Sequence, residues 1–124
     1  MMETNNLQAN YARGDNKSGD ASCWGLCKQN LGMIKVCHPS ITTEAQAEQL
    51  NSDLSLDVQV YNECRQYYGS DWWSAHRMGA NNAGLDTYDI RVFTAAQDWT
   101  YEMLQEGAGH FDDDVYFWVD VPAI

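Results

Sequence analysis

The sequence predicts a mainly α-helical domain of the α+β type, with a small hairpin or structured loop near residues 10–20. Three observations predict it. Apolar residues recur at helical spacing through most of the 124 positions. Helix-starting residues precede those stretches and glycines follow them, as with Asp53 and Gly69, or Thr87 and Gly107. One early stretch, NYARGDNKSGD at residues 10–20, is instead rich in Gly, Asn, Asp and Ser, which favour tight turns. The length suits one domain spanning 1–124, with no repeat, linker or low-complexity segment.

The elements follow in order. Met1 to about Gln8 reads as a short helix. After the 10–20 turn, Asp20 caps a helix expected from about Ala21 to Val36, with Trp24, Cys27, Leu31 and Ile34 on one face and Pro39 beyond its end. A second helix is expected over about Thr43 to Leu50. Ser52 or Asp53 opens the next, which stops before Gly69 and carries an inward stripe of Leu54, Val58, Tyr61 and Cys64. Ser70 or Asp71 caps a short helix through Trp72, Trp73 and His76, and GANNAG at 79–84 forms a loop. The longest helix runs from about Thr87 to Glu106, with Ile90, Phe93, Ala96 and Met103 inward. The tail, HFDDDVYFWVDVPAI, reads as irregular or extended.

Charge narrows the function. Seven basic residues against eighteen acidic ones give a net charge of −11. Phosphate contacts need a Lys/Arg surface, so nucleic acid is not the expected partner. Anionic membranes and polyanionic substrates are disfavoured for the same reason, and no apolar run approaches the ~20 residues that span a bilayer. A neutral or cationic partner fits. The chain opens Met1-Met2-Glu3 with no leader pattern, so a secretion signal is expected to have been removed already.

Cys23, Cys27, Cys37 and Cys64 are an even number in a small domain, which points to two disulfides and an oxidising, extracellular compartment. A zinc site on Cys23 and Cys27 with His38 or His76 is the rival, but it lacks a paired CxxC spacing. On one continuous helix Cys27 and Cys37 would lie about 15 Å apart, beyond bonding reach. If that helix is continuous, with Cys23, Cys27 and Cys37 all on or near it, the full pairing is Cys37–Cys64 with Cys23–Cys27, the second closing a tight loop with some strain whose formation the sequence leaves open.

Two carboxylates stand out as a possible acid–base pair for glycoside cleavage, which needs one on each side of the sugar. Glu3 lies on a nearly uncharged segment, MMETNNLQ, a setting that suits a general acid. Asp15 lies in a polar, glycine-flanked turn, a setting that suits a base. The strings GDNKSGDA at 14–21, KQN at 28–30, MIK at 33–35, NSDLSLDVQ at 51–59, AHR at 75–77 and FWVDVPAI at 117–124 extend this across the chain. In that order they resemble glycoside hydrolase family 134, small secreted endo-β-1,4-mannanases. The resemblance implies a lysozyme-like helical fold, a single catalytic domain, no cofactor and no metal. It implies hydrolysis of β-1,4-mannan (mannan, glucomannan, galactomannan, manno-oligosaccharides) with inversion. The family's catalytic Glu precedes its catalytic Asp by twelve residues, which carries general acid onto Glu3 and general base onto Asp15.

Asn16, Lys17 and Asp20 share the Asp15 loop and are candidate sugar-binding residues, although Asp20 also suits a helix cap. His76 and Arg77 could line a cleft, or form a structural pair. Sugars stack on aromatic faces, and Trp73 and Trp118 are the tryptophans expected to offer one. The Arg13-Gly14-Asp15 tripeptide, the Asn16-Lys17-Ser18 sequon and the Asp112-Asp113-Asp114 run carry no comparable argument. A calcium loop starting at Asp15 fails, because Leu26 stands where the bidentate Glu belongs. The expected protein is a secreted, extracellular monomer acting on a neutral polysaccharide. The alternatives are a lysozyme- or chitosanase-like hydrolase of another β-1,4-polysaccharide, and a non-catalytic secreted carbohydrate-binding protein.

Overall fold

Asn30 decides where the first α-helix among the described residues begins. Its side chain accepts a hydrogen bond from the Met33 N–H, and the helix α1 runs Leu31–Cys37. The structure is a computed structural model that describes residues 8, 9, 12–107 and 109. The helix expected over 1–8, apart from Gln8, and the tail from residue 110 lie outside the described residues, and so do Glu3 and Trp118.

The helix expected from Ala21 to Val36 is therefore corrected to a shorter one. Its first half is a 3-10 turn at Gly19–Ala21 followed by the antiparallel hairpin β1 (Cys23–Trp24) and β2 (Gln29–Asn30), with Cys23 opposite Asn30 and Trp24 opposite Gln29. Gly25 at φ 75° and Lys28 at φ 50° are left-handed, which no α-helix accommodates. The hairpin thus lies at 23–30, and residues 12–20 contribute a structured loop with a 3-10 turn at Arg13–Asn16, residues 10 and 11 lying outside the described residues.

The later elements lie close to their expected bounds. Helix α2 (Glu44–Ala47) opens on a capping box in which Thr43 and Gln46 bond each other's backbone, and it runs on as a 3-10 turn through Asn51. Helix α3 (Leu54–Tyr68) is capped by Asp53 and ends at Gly69, φ 54°. Helix α4 (Trp72–Met78) follows directly. Helix α5 (Tyr88–Glu106) starts after Thr87 and buries Ile90 and Ala96.

The face that α3 turns inward differs from the expected stripe. Leu54 and Val58 are 59% and 49% exposed, while Asp57, Val60 and Cys64 are buried. A carboxylate occupies a core position that apolar periodicity assigns to its neighbours.

The chain divides into two compact units, residues 1–84 and 85–124, and α5 belongs to the second. The interior of the first unit holds Trp24, Leu31, Met33, Ile34, Ile41, Leu50, Val60 and Trp72. A disulfide joins Cys37 at the end of α1 to Cys64 on α3, with Cα atoms 5.0 Å apart. Beside it His38 Nδ1 meets Glu63 Oε2 at 2.5 Å and His38 Nε2 meets Ser40 Oγ at 2.7 Å, which closes a second clasp between the same two elements. No disulfide joins Cys23 to Cys27 in this structure. The helical turn that was to bring them together is here a strand leading into the 25–28 turn.

Candidate active site

The loop around Asp15 is shaped by three consecutive left-handed residues: Gly14 (φ 57°), Asp15 (φ 56°) and Asn16 (φ 59°). Asp and Asn are the side-chain-bearing residues that tolerate this region best, so the GDN string is a backbone instruction as much as a chemical one. Gly14 also has no room for a side chain, because a Cβ there would meet the Ser22 Cβ at 3.0 Å.

The loop is fastened from both ends. Arg13 lies over the Trp24 ring at 5.1 Å and pairs with Glu44 at 3.0 Å and Glu48 at 3.2 Å. Glu44 also accepts the Gly19 N–H at 2.6 Å. That backbone bond, and then Arg13, hold the Glu44 carboxyl below its ordinary range. Residues 13 and 19, on either side of Asp15, are thereby tied to α2.

Asp15 faces a lysine that is 1% exposed. The Lys28 ammonium lies 3.0 Å from Asp15 Oδ1, whose own side chain is 22% exposed. The approach is off the direction a hydrogen bond needs, so the contact is an ion pair and not a directed bond. The same ammonium donates to the Ala9 carbonyl. Both contacts hold the end of a long, flexible kind of side chain.

Beneath Lys28 the 25–28 turn rests on α3. The Asp57 carboxylate accepts the Leu26 N–H at 2.7 Å, and the Asn51 side chain accepts the Gly25 N–H at 2.9 Å. A Cβ at Gly25 would fall 1.9 Å from Asp57 Oδ1, so only glycine lets the turn approach the carboxylate. Burial pushes the Asp57 carboxyl up, while the Leu26 N–H and the Lys28 charge draw it back. Its Oδ1 has no hydrogen-bond partner among the described residues.

An open cavity of about 310 Å³ adjoins this assembly, lined by Gln8, Ala9, Leu26, Leu50, Asn51, Ser52 and Leu54. It shares Ala9 and Leu26 with the support of Lys28 and presents no charged side chain.

The other expected site residues are distributed more widely. Asn16 is exposed and Lys17 half-buried on the Asp15 loop. Asp20 is exposed and pairs with Lys35, so it caps no helix over 21–36. Trp73 is 8% exposed and meets Trp72 edge-on, a setting of core packing more than of an open sugar platform. His76 stacks flat on Trp72, ring centres 4.7 Å apart, and Arg77 is half-buried at the end of α4. Asn30 Nδ2 donates to the Ala75 and His76 carbonyls, so the AHR string is anchored to the start of α1. Lys28, Asp57, Gly25 and Asn51 join the site through the fold and carry no functional signature of their own in the sequence. The one visible signal was Asp57, a charge beside an apolar stripe. Among the described residues no group of three His, Cys, Asp or Glu side chains could hold a metal ion. No helix among them is long and apolar enough to cross a membrane.

The chain is similar to Mediator of RNA polymerase II transcription subunit 17 of Schizosaccharomyces pombe, 29% identical over 97 residues. That likeness takes in 77% of this chain but only 18% of the subunit, so the chain spans under a fifth of that relative. The family model for glycosyl hydrolase family 134 matches residues 1–121, nearly the whole length. A match of that extent assigns the family: the chain belongs to glycosyl hydrolase family 134, whose members hydrolyse glycosidic bonds.

Proposed function

We propose that the protein is a secreted, monomeric endo-β-1,4-mannanase that inverts the anomeric carbon, with Asp15 as general base and Glu3 as general acid. The observation that carries this reading is the placement of Asp15. It is a partly exposed carboxylate on a loop tied at both ends, with a buried ammonium 3.0 Å away. A base must be fixed relative to the water it activates, and a loop of left-handed residues pinned to α2 supplies that rigidity.

In the reaction Asp15 takes a proton from a water, whose oxygen attacks the anomeric carbon. Glu3 gives a proton to the departing glycosidic oxygen on the opposite face. The β-linkage yields an α-configured product, and room for the water requires the two carboxyls to be about 6.5–9.5 Å apart. The uncharged lining of the neighbouring cavity, with Gln8, Asn51 and Ser52 as hydrogen-bonding groups, suits a neutral sugar unit. Mannan, glucomannan, galactomannan and manno-oligosaccharides form the substrate class.

Proton NMR of mannohexaose digestion tests substrate, bond and stereochemistry together. The α-anomer of the new reducing end should appear first. Early β-anomer contradicts inversion, and release only from chitosan or bacterial walls contradicts the substrate. Glu3→Gln should abolish hydrolysis while leaving the melting temperature near that of the parent. A near-normal rate in that variant removes Glu3 from its role.

A further inference from the structure

The structure assigns Lys28 as the positioning residue of Asp15: the ammonium sets where that carboxylate sits, and Asp57 beneath the Gly25–Lys28 turn sets where the ammonium sits. This rests on the reading of Asp15 as the base. Three features of the geometry carry it.

The first is burial. A lysine with 1% exposure gives up its hydration, and such a charge survives in a fold when it is paired. The partner here is the candidate base, and the second contact is the Ala9 carbonyl, six residues along from Glu3. One ammonium therefore touches both the Asp15 loop and the chain that follows the candidate acid.

The second is backbone. Both members of the pair are left-handed, Asp15 at φ 56° and Lys28 at φ 50°. Lysine has none of the local hydrogen bonding that eases this region for Asp and Asn, so its conformation is imposed by its surroundings. Strain of this kind is held only where the neighbours over-determine it, and Lys28 sits in a turn held by Asn51 and Asp57.

The third is the direction of support. Asp57 is buried on α3 with one oxygen on the Leu26 N–H and the other without a hydrogen-bond partner among the described residues. The chain from α3 to Asp57, to the turn, to Lys28 and to Asp15 is continuous. It links a long helix to a loop carboxylate.

A double-mutant cycle on the full chain tests this, with kcat and KM measured on mannohexaose for the parent, Lys28→Met, Asp15→Asn and both together. Asp15→Asn should lower kcat about 10²- to 10⁴-fold. Lys28→Met should lower kcat by up to about 10²-fold, the effect of a misplaced group, with KM little changed. Lys28→Arg, which keeps the cation, should recover part of the loss. In the Asp15→Asn background Lys28→Met should cost nothing further, because its target is gone. An unchanged kcat in Lys28→Met overturns the inference, and so does an equal loss in both backgrounds. A normal kcat in Asp15→Asn overturns the role of Asp15 itself, a separate failure. Should Lys28→Met not fold, Asp57→Asn supplies the second reading. It leaves an oxygen for the Leu26 N–H and removes the charge facing Lys28. A folded Asp57→Asn with an unaltered kcat overturns the positioning chain, and a selective fall in kcat supports it.

Discussion

Gly14 and Gly25 show how much of the site is written at single positions. Both are left-handed, and both lie where a Cβ would strike a neighbour. Gly19 is left-handed as well, at φ 60°, but faces open space. The three separate conformational strain from collision. Gly19→Ala should cost only the left-handed penalty of about 1–2 kcal/mol. Gly25→Ala adds a 1.9 Å clash with Asp57 and should cost at least ~3 kcal/mol. Urea denaturation of the two variants measures the difference, and equal losses would show that the Asp57 contact yields easily. The GDN string could be recognised as turn chemistry from its residue types alone. Lys28 could not, because a lysine in a sequence reads as surface, and its pairing across thirteen positions with Asp15 and its bond to the Ala9 carbonyl arise in the fold.

At the scale of elements, α1 and α3 are held together by a covalent bond and a titratable one. Cys37 and Cys64 are 27 residues apart, and closing a loop of that size in the unfolded chain is worth about 3–4 kcal/mol. Reduction should lower the melting temperature accordingly, provided Cys23 and Cys27 are followed in parallel by thiol counting. The adjoining His38–Glu63 contact holds the Glu63 carboxyl below its ordinary range, first through the His38 hydrogen bond and then through Gln59. A carboxyl whose folded pKa lies below its unfolded one stabilises the protein above the unfolded value. That contribution is lost as pH falls through the folded value. Glu44 acts in the same direction through the Gly19 N–H and Arg13. Asp57, raised by burial, acts in the opposite one, and its share of stability declines as pH rises from its unfolded value. Denaturation midpoints measured from neutral to acid pH should therefore fall, and Glu63→Gln should flatten part of the fall. An unchanged slope would mean that the clasp adds nothing. The elements themselves were largely readable: Asp53 and Gly69 bound α3, and Thr87 and Gly107 bound α5, because caps are local chemistry. The inward face of α3 was not. It turned on Asp57 meeting the Leu26 N–H, 31 positions away.

For the whole molecule, a net charge of −11 has a consequence for the substrate. An uncharged polysaccharide gains nothing from that field and loses nothing to it. Hydrolysis of mannan should change little between about 0.01 and 0.15 M salt, over which the screening length contracts from about 30 to 8 Å. A cationic chitosan would instead be cleaved progressively less well as salt rises, so the salt series separates the two substrates by rate alone. The mainly helical fold, the Cys37–Cys64 bond and the family could all be read from the sequence. They rest on caps, periodicity and strings of adjacent residues, which act over a few positions. The hairpin at 23–30, the burial of Lys28 and Asp57, and the cavity beside them were decided by the tertiary structure. The hairpin follows from a turn held by α3, the cavity is lined by residues 8–9, 26 and 50–54, and the two buried charges come from positions far apart in the chain that meet where water is excluded and a charge is stable only beside a partner.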